Sequence, residues 1–172
     1  LSAKFYDYSA FQLDSVCQNK GATKEQIDAY RIKVMKNDFF FDQTVLQNEP
    51  KGSLTVNSTI TPDNYTYTES LPNIDWTLAE ESDSICGYTC KKATGEYGGR
   101  SWTAWYTLDI PVTFGPWKLC DLPGLVLSAE DNEGIHHFEA IVIRKGTTPI
   151  TECNATNVIS TTREKFIKGK NH

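Results

Sequence analysis

ICGYTCKKATGEYGGRSWTAWYTLDI, residues 85–110, decides the fold. Two runs rich in β-formers, ICGYTCKKA (85–93) and RSWTAWYTLDI (100–110), flank Gly95 to Gly99, whose glycines permit the positive φ of a tight turn. The pair predicts an antiparallel hairpin. Side chains alternate along a strand, so Cys86, Tyr88 and Cys90 share one side of the first run, and Trp102, Ala104, Tyr106 and Leu108 one side of the second. Trp102 and Trp105 then point to opposite faces. Trp102 is assigned to the core and Trp105 to a candidate interface, because large exposed aromatics are enriched where partners dock.

Downstream, LVLSAEDNEGIHHFEAIVI predicts a second hairpin turning at Asp131 to Gly134. Its return strand, Phe138 to Ile143, is apolar on both faces apart from Glu139, the pattern of a strand covered on both sides. Upstream, β-branched and aromatic runs broken by turn clusters complete about seven strands between Phe39 and Ile143. Thr55 to Ser70, rich in Thr and Tyr, reads as a twisted edge pair or as an exposed polar loop. Residues 23–36, TKEQIDAYRIKVMK, predict a helix. Thr23 and Gln26 form a capping box, and Ile27, Tyr30 and Val34 recur at helical spacing to lie on a sheet. The last ten residues carry Arg163, Lys165, Lys168 and Lys170 against Glu164 and read as a frayed basic tail. The fold class is therefore mainly β, a β-rich α+β arrangement: a curved antiparallel sheet or half-barrel with one or two helices.

At 172 residues the chain is expected to form a single domain spanning 1–172. Hydrophobic residues make up 39%, with only 11 Gly and 7 Pro, so the chain can bury a core and is not a low-complexity polymer. Its net charge of −5 repels phosphate backbones and argues against nucleic-acid binding. No run of about eighteen apolar residues occurs, so no transmembrane helix is expected. LSAKFYDY at the start has neither the basic flank nor the apolar stretch of a signal peptide.

Catalytic signatures do not occur: no GxSxG, HExxH, GxxxxGK or GxGxxG. Histidines stand at 136, 137 and 172, so a nucleophile–base pair would need His136 or His137. Glu133, His136, His137 and Glu139 carry metal-ligating atoms, but adjacent strand residues face opposite ways and cannot chelate one ion. No metal, cofactor or catalytic residue is assigned.

Five cysteines, with no CxxC pair or zinc spacing, favour an oxidising compartment, and the odd number leaves at least one thiol free. If residues 86–90 are extended, Cys86 and Cys90 stand roughly 13 Å apart and cannot bond. A bridge must then reach Cys17, Cys120 or Cys153. Cys90 to Cys120 is the candidate, its loop adding roughly 3 to 4 kcal/mol. Asn57, Asn64 and Asn154 each begin an Asn-x-Thr triplet, a glycan acceptor in a eukaryotic secretory pathway.

Between Ile74 and Ile143 the chain reads Gly87-Tyr88-x-Cys90-x-Lys92-Ala93, then Gly99-Arg100-x-Trp102, Ile110-Pro111, Gly115-Pro116-Trp117-Lys118 and Leu122-Pro123-Gly124-Leu125. In this it resembles the GLPGLI (Porph_ging) family, with looser similarity in the flanks at Lys4-Phe5-Tyr6 and Thr162 to Lys165. The resemblance implies an exported protein of Bacteroidota, periplasmic or outer-membrane associated, lacking family segments at its ends. Asp121 stands where that signature has Gly, which questions any positive φ there. Physically, Gly115, Pro116 and Trp117 form a rigid turn pinning an indole, and Leu122 to Leu125 starts a buried strand.

The function expected from these readings is non-enzymatic: an accessory or binding subunit of an outer-membrane complex, with a TonB-dependent receptor or other barrel protein as partner. One alternative is a periplasmic carrier holding an apolar or lipid-like ligand on the concave sheet. Another is a hydrolase or metal enzyme acting through His136 and Glu139.

Overall fold

The computed structural model describes residues 1–7, 21–35, 43–60, 62–146, 150 and 157–170. Its strands are β1 (Ala3–Phe5), β2 (Gln43–Gln47), β3 (Ser53–Ile60), β4 (Asp63–Ser70), β5 (Thr77–Ile85), β6 (Tyr88–Tyr97), β7 (Arg100–Thr107), β8 (Leu125–Asp131), β9 (His137–Glu139) and β10 (Val158–Ser160). Two helices are described, α1 (Lys24–Met35) and α2 (Arg163–Lys170). The molecule is mainly β, as the sequence implies, and its strands divide over two five-stranded sheets, β1-β2-β3-β4-β10 and β5-β6-β7-β8-β9. The chain separates into two compact units, one of Leu1–Glu69 with Thr151–His172 and one of Ser70–Ile150.

In the first unit, β3 alternates as period two requires, burying Leu54, Val56 and Ser58. The Thr55 to Ser70 stretch resolves as most of β3 and all of β4, neighbours inside the sheet. The capping box of α1 forms as read: the Thr23 N–H donates to Gln26 Oε1 at 3.0 Å and the Gln26 N–H to Thr23 Oγ1 at 3.2 Å. The side chains of Tyr30 and Val34 lie outside the described set, as do Cys17, Cys153 and Asn154.

The C-terminal segment corrects the expectation of a frayed tail. Thr162 caps α2 and Arg163 pairs with Glu69 at 3.3 Å. Phe166 is buried, with its ring 5.9 Å from Tyr65 and 5.4 Å from Tyr67. That anchor offsets the entropy of ordering a short basic helix. Beside it, β10 runs parallel to β4, with Ile159 opposite Tyr65.

The second unit is an antiparallel meander. The β6–β7 hairpin turns on Gly98 and Gly99, at φ 64° and 78°. The β5–β6 turn uses Cys86 and Gly87, at φ 51° and 80°, so Cys86 sits in a turn and not on the strand face expected for it. Leu78, Ala93, Ala104, Ala129 and Phe138 stand opposite one another across the sheet. The three alanines leave room over which Ile74, Trp102, Tyr106, Leu119, Leu122 and Val126 pack into one core. The doubly covered strand Phe138 to Ile143 is not formed: β9 ends at Glu139, and Ile141 and Val142 are exposed.

Candidate functional site

The β8–β9 end of the second sheet is organised by Asp131, which opens the sequence Asp-Asn-Glu-Gly. An Asp beginning a turn can bind the backbone ahead of it. Its Oδ1 accepts from the N–H groups of Ile135 at 2.8 Å and His136 at 3.3 Å. Its Oδ2 lies 2.9 Å from both Arg100 Nη1 and His136 Nδ1. Arg100 also binds Glu133 at 2.6 Å. Burial raises the Asp131 pKa, but the His136 side chain, the His136 and Ile135 amides and the Arg100 charge together outweigh it and hold the carboxyl at about 2. With four contacts filling its acceptor sites, this carboxylate is a clamp fastening β7 to the β8–β9 turn, not a proton acceptor.

Next to the clamp runs a row of rings. Trp102 is buried, its centroid 6.0 Å from His136, 6.4 Å from Phe138 and 6.1 Å from Trp117; Tyr97 meets Trp117 edge-on at 5.7 Å. The indole N–H of Trp102 donates to the Tyr97 carbonyl at 3.0 Å and that of Trp76 to the Cys120 carbonyl at 2.9 Å. Trp117 adopts φ 54° in the turn after Gly115 and Pro116, closed by the Leu119 N–H on the Pro116 carbonyl at 3.0 Å.

The remaining motif residues hold the meander together. Gly87 and Gly99 make turns, Tyr88 opens β6, and Lys92 pairs with Glu81 at 3.1 Å. Ala93 and Leu122 belong to the core, while Pro123 is exposed between Leu122 and Gly124. A Cβ at Gly115 would overlap the Leu119 carbonyl, and one at Gly124 the Thr107 carbonyl. Leu125 starts β8, donating its N–H to Ile110 at 3.0 Å. Asp121 does adopt a positive φ of 77°, a conformation Asp tolerates better than most residues.

Trp105 lies on the other face of the sheet and is half-buried. Its row runs Lys92, Trp105, Ser128, Glu139, and the next runs Thr77, Thr94, Thr103, Glu130, His137. Cys90 and Thr107, both fully buried, mark the end where this face closes. The other end is open, with Thr94, Glu96, Glu130 and His137 exposed.

The expected disulfide is not formed: Cys86, Cys90 and Cys120 are free thiols. Cys90 is enclosed on β6, where its Sγ lies 3.6 Å from the Tyr88 carbonyl. Cys120 sits in the Trp117 to Asp121 loop, where burial pushes its thiol up to about 12. Burial also raises Cys90. The metal candidates separate as alternation requires. His136 faces Asp131 at 2.9 Å, whereas His137 lies 3.2 Å from Glu139 and 3.8 Å from Glu130.

Residues 13–167 match the family model described as the N-glycanase peptide, N-terminal domain. Two solved structures of PNGF-II, in space groups P21 and C2, superpose with TM-scores of 0.62 and 0.61 at 22% and 24% identity. Each match covers 80% of this chain and 26% of the other, so the chain spans about a quarter of those proteins; at such identity the likeness is one of fold. No curated protein matches the chain. These findings overturn the GLPGLI (Porph_ging) resemblance, and with it the TonB-complex accessory role. The family match spans both units, whereas the earlier resemblance was dense only from Ile74 to Ile143. Of the residues that suggested it, Gly87 and Gly99 make turns, and Ala93, Trp102 and Leu122 belong to the core.

Proposed function

The chain belongs to the N-glycanase N-terminal domain family, and from that premise we propose that it is an accessory domain of an N-glycanase, engaging the glycoprotein while hydrolysis takes place elsewhere. The observation that carries this reading is the family match over residues 13–167, in a chain spanning about a quarter of its structural neighbours. The chemistry of the second unit supports it. The buried Asp131 is saturated by donors and held at about 2, which suits a clamp and not a general base. The Cys120 thiol, pushed to about 12, is a poor nucleophile at neutral pH.

The test is steady-state glycan release from an N-glycosylated protein by the natural full-length protein, with and without residues 1–167. The domain alone should release no glycan, and its removal should raise KM more than it lowers kcat. Glycan release by the isolated chain, or unchanged kinetics after its removal, would overturn the proposal.

A further inference from the structure

We propose that the open face of the second sheet around Trp105 is a platform for a neutral oligosaccharide. The inference rests on the glycanase reading above and assigns it a place. Two adjacent rows share this face, Lys92-Trp105-Ser128-Glu139, in which Ser128 is buried and Lys92 and Trp105 are half-buried, and the more open Thr94-Thr103-Glu130-His137. Rows of this kind stand about 7 Å apart along the strands, with strands about 4.8 Å apart across them, a grid that two or three sugar rings can span.

The chemistry matches a sugar on both counts that matter. A pyranose presents a patch of C–H bonds that packs on an aromatic face, and it is ringed by hydroxyls that donate and accept. Trp105 supplies the aromatic face. Its indole N–H and the hydroxyls of Thr94 and Thr103 make no hydrogen bond with any described residue, unlike the N–H groups of Trp76 and Trp102, which are both used. Those donors and acceptors remain available to a ligand. Beside them the Ser101 hydroxyl is held by Glu96, and His137 by Glu139 at 3.2 Å, so neighbouring polar groups are oriented in advance.

The charge on this face selects among glycans. Glu96, Glu130 and Glu139 stand against Lys92, which is itself paired with Glu81. Such a face repels a carboxylated sugar and accepts an uncharged one. An apolar partner would find one indole among hydroxyls and carboxylates, a poor core for a protein interface.

The experiment is calorimetric titration of the whole chain with a free neutral N-glycan of mannose and N-acetylglucosamine, and with a sialylated counterpart. Circular dichroism confirms that each variant is folded. The neutral glycan should bind at least about tenfold more tightly than the sialylated one, and Trp105→Ala should lose about tenfold or more, with Trp105→Phe close to wild type. Thr103→Val should lose about threefold, a readout that does not depend on how Trp105 contributes to folding. If the wild-type chain binds the neutral glycan and the Trp105 and Thr103 variants bind it equally well, the platform is elsewhere and only this inference falls. Equal affinity for the sialylated glycan overturns the charge argument and the neutral class with it. If the wild-type chain binds neither glycan, the platform is refuted; unchanged kinetics after removal of residues 1–167 would then sink the accessory-domain reading as well.

Discussion

Truncating Trp102 to Ala is expected to cost the second unit about 3 to 5 kcal/mol, the range for a buried large aromatic. The residue is 2% exposed and touches the rings of Trp117, His136 and Phe138, so little of the space it leaves can be filled by relaxation. Its N–H also satisfies the Tyr97 carbonyl at 3.0 Å. Trp102→Phe keeps the ring but loses that bond and should cost about 1 to 2 kcal/mol. Trp105→Ala, on the opposite face and half-buried, should cost no more than about 1.5 kcal/mol, from lost strand propensity and partial burial. Urea unfolding followed by far-UV circular dichroism measures all three, read as a change in midpoint at constant slope. If Trp105→Ala destabilised as much as Trp102→Ala, or Trp102→Ala cost less than about 1.5 kcal/mol, the assignment of the two faces would be wrong.

Asp131 gives a pH signature. Its folded pKa of about 2 lies below the ~3.9 of an unfolded Asp, so its stabilising contribution is complete above about pH 4 and is lost as pH falls towards 2. Asp131→Asn should lower the urea midpoint at pH 7 and flatten the wild-type decline between pH 4 and 2; a variant with an unchanged acid profile would remove Asp131 as the clamp. Gly124→Ala places a Cβ against the Thr107 carbonyl, and since backbone cannot yield as a side chain does, the cost should exceed about 3 kcal/mol. Gly99→Ala, open in space at φ 78°, should cost about 1 kcal/mol in the same assay; similar losses at the two sites would contradict the packing at Gly124. Under native conditions iodoacetamide should modify exposed Cys86 and spare Cys90 and Cys120 until denaturant is added, as read by peptide mass mapping. A disulfide-linked peptide containing Cys90 or Cys120 would contradict the free thiols.

How much of this could be read in the sequence depended on how local the signal was. The capping box at Thr23 and Gln26, the Gly98-Gly99 turn and the Asp131 to Gly134 turn are each written within a few residues, and each forms as read. The opposite facing of Trp102 and Trp105 followed from period two alone. What failed depended on distant partners. The anchor of α2 is Phe166, and the rings it meets, Tyr65 and Tyr67, lie about a hundred residues upstream, so its own basic segment reads as a tail. The apolar run after Phe138 looks like a buried strand, yet the ladder with β8 ends at the Ser128–Glu139 pair, followed by a single bond from the Ala140 N–H to the Leu127 carbonyl at 2.7 Å. Cys86 at a positive φ is an uncommon turn residue, and that turn was hidden inside an apparent strand. The role of Asp131 is written locally too, since its place at the start of a Gly-containing turn marks a residue that binds backbone, but its bond to Arg100 depends on a strand 31 residues upstream. Among the motifs that suggested another family, Gly87 and Gly99 are turn glycines and Trp102 is a core aromatic, all parts of the meander.

An accessory domain of an N-glycanase must recognise glycan on a protein. Calorimetric titration of the chain with one N-glycosylated protein, before and after complete removal of its N-glycans, tests this most directly. Binding that disappears with the glycans is the predicted result. Equal binding to both forms, or to neither, would contradict it.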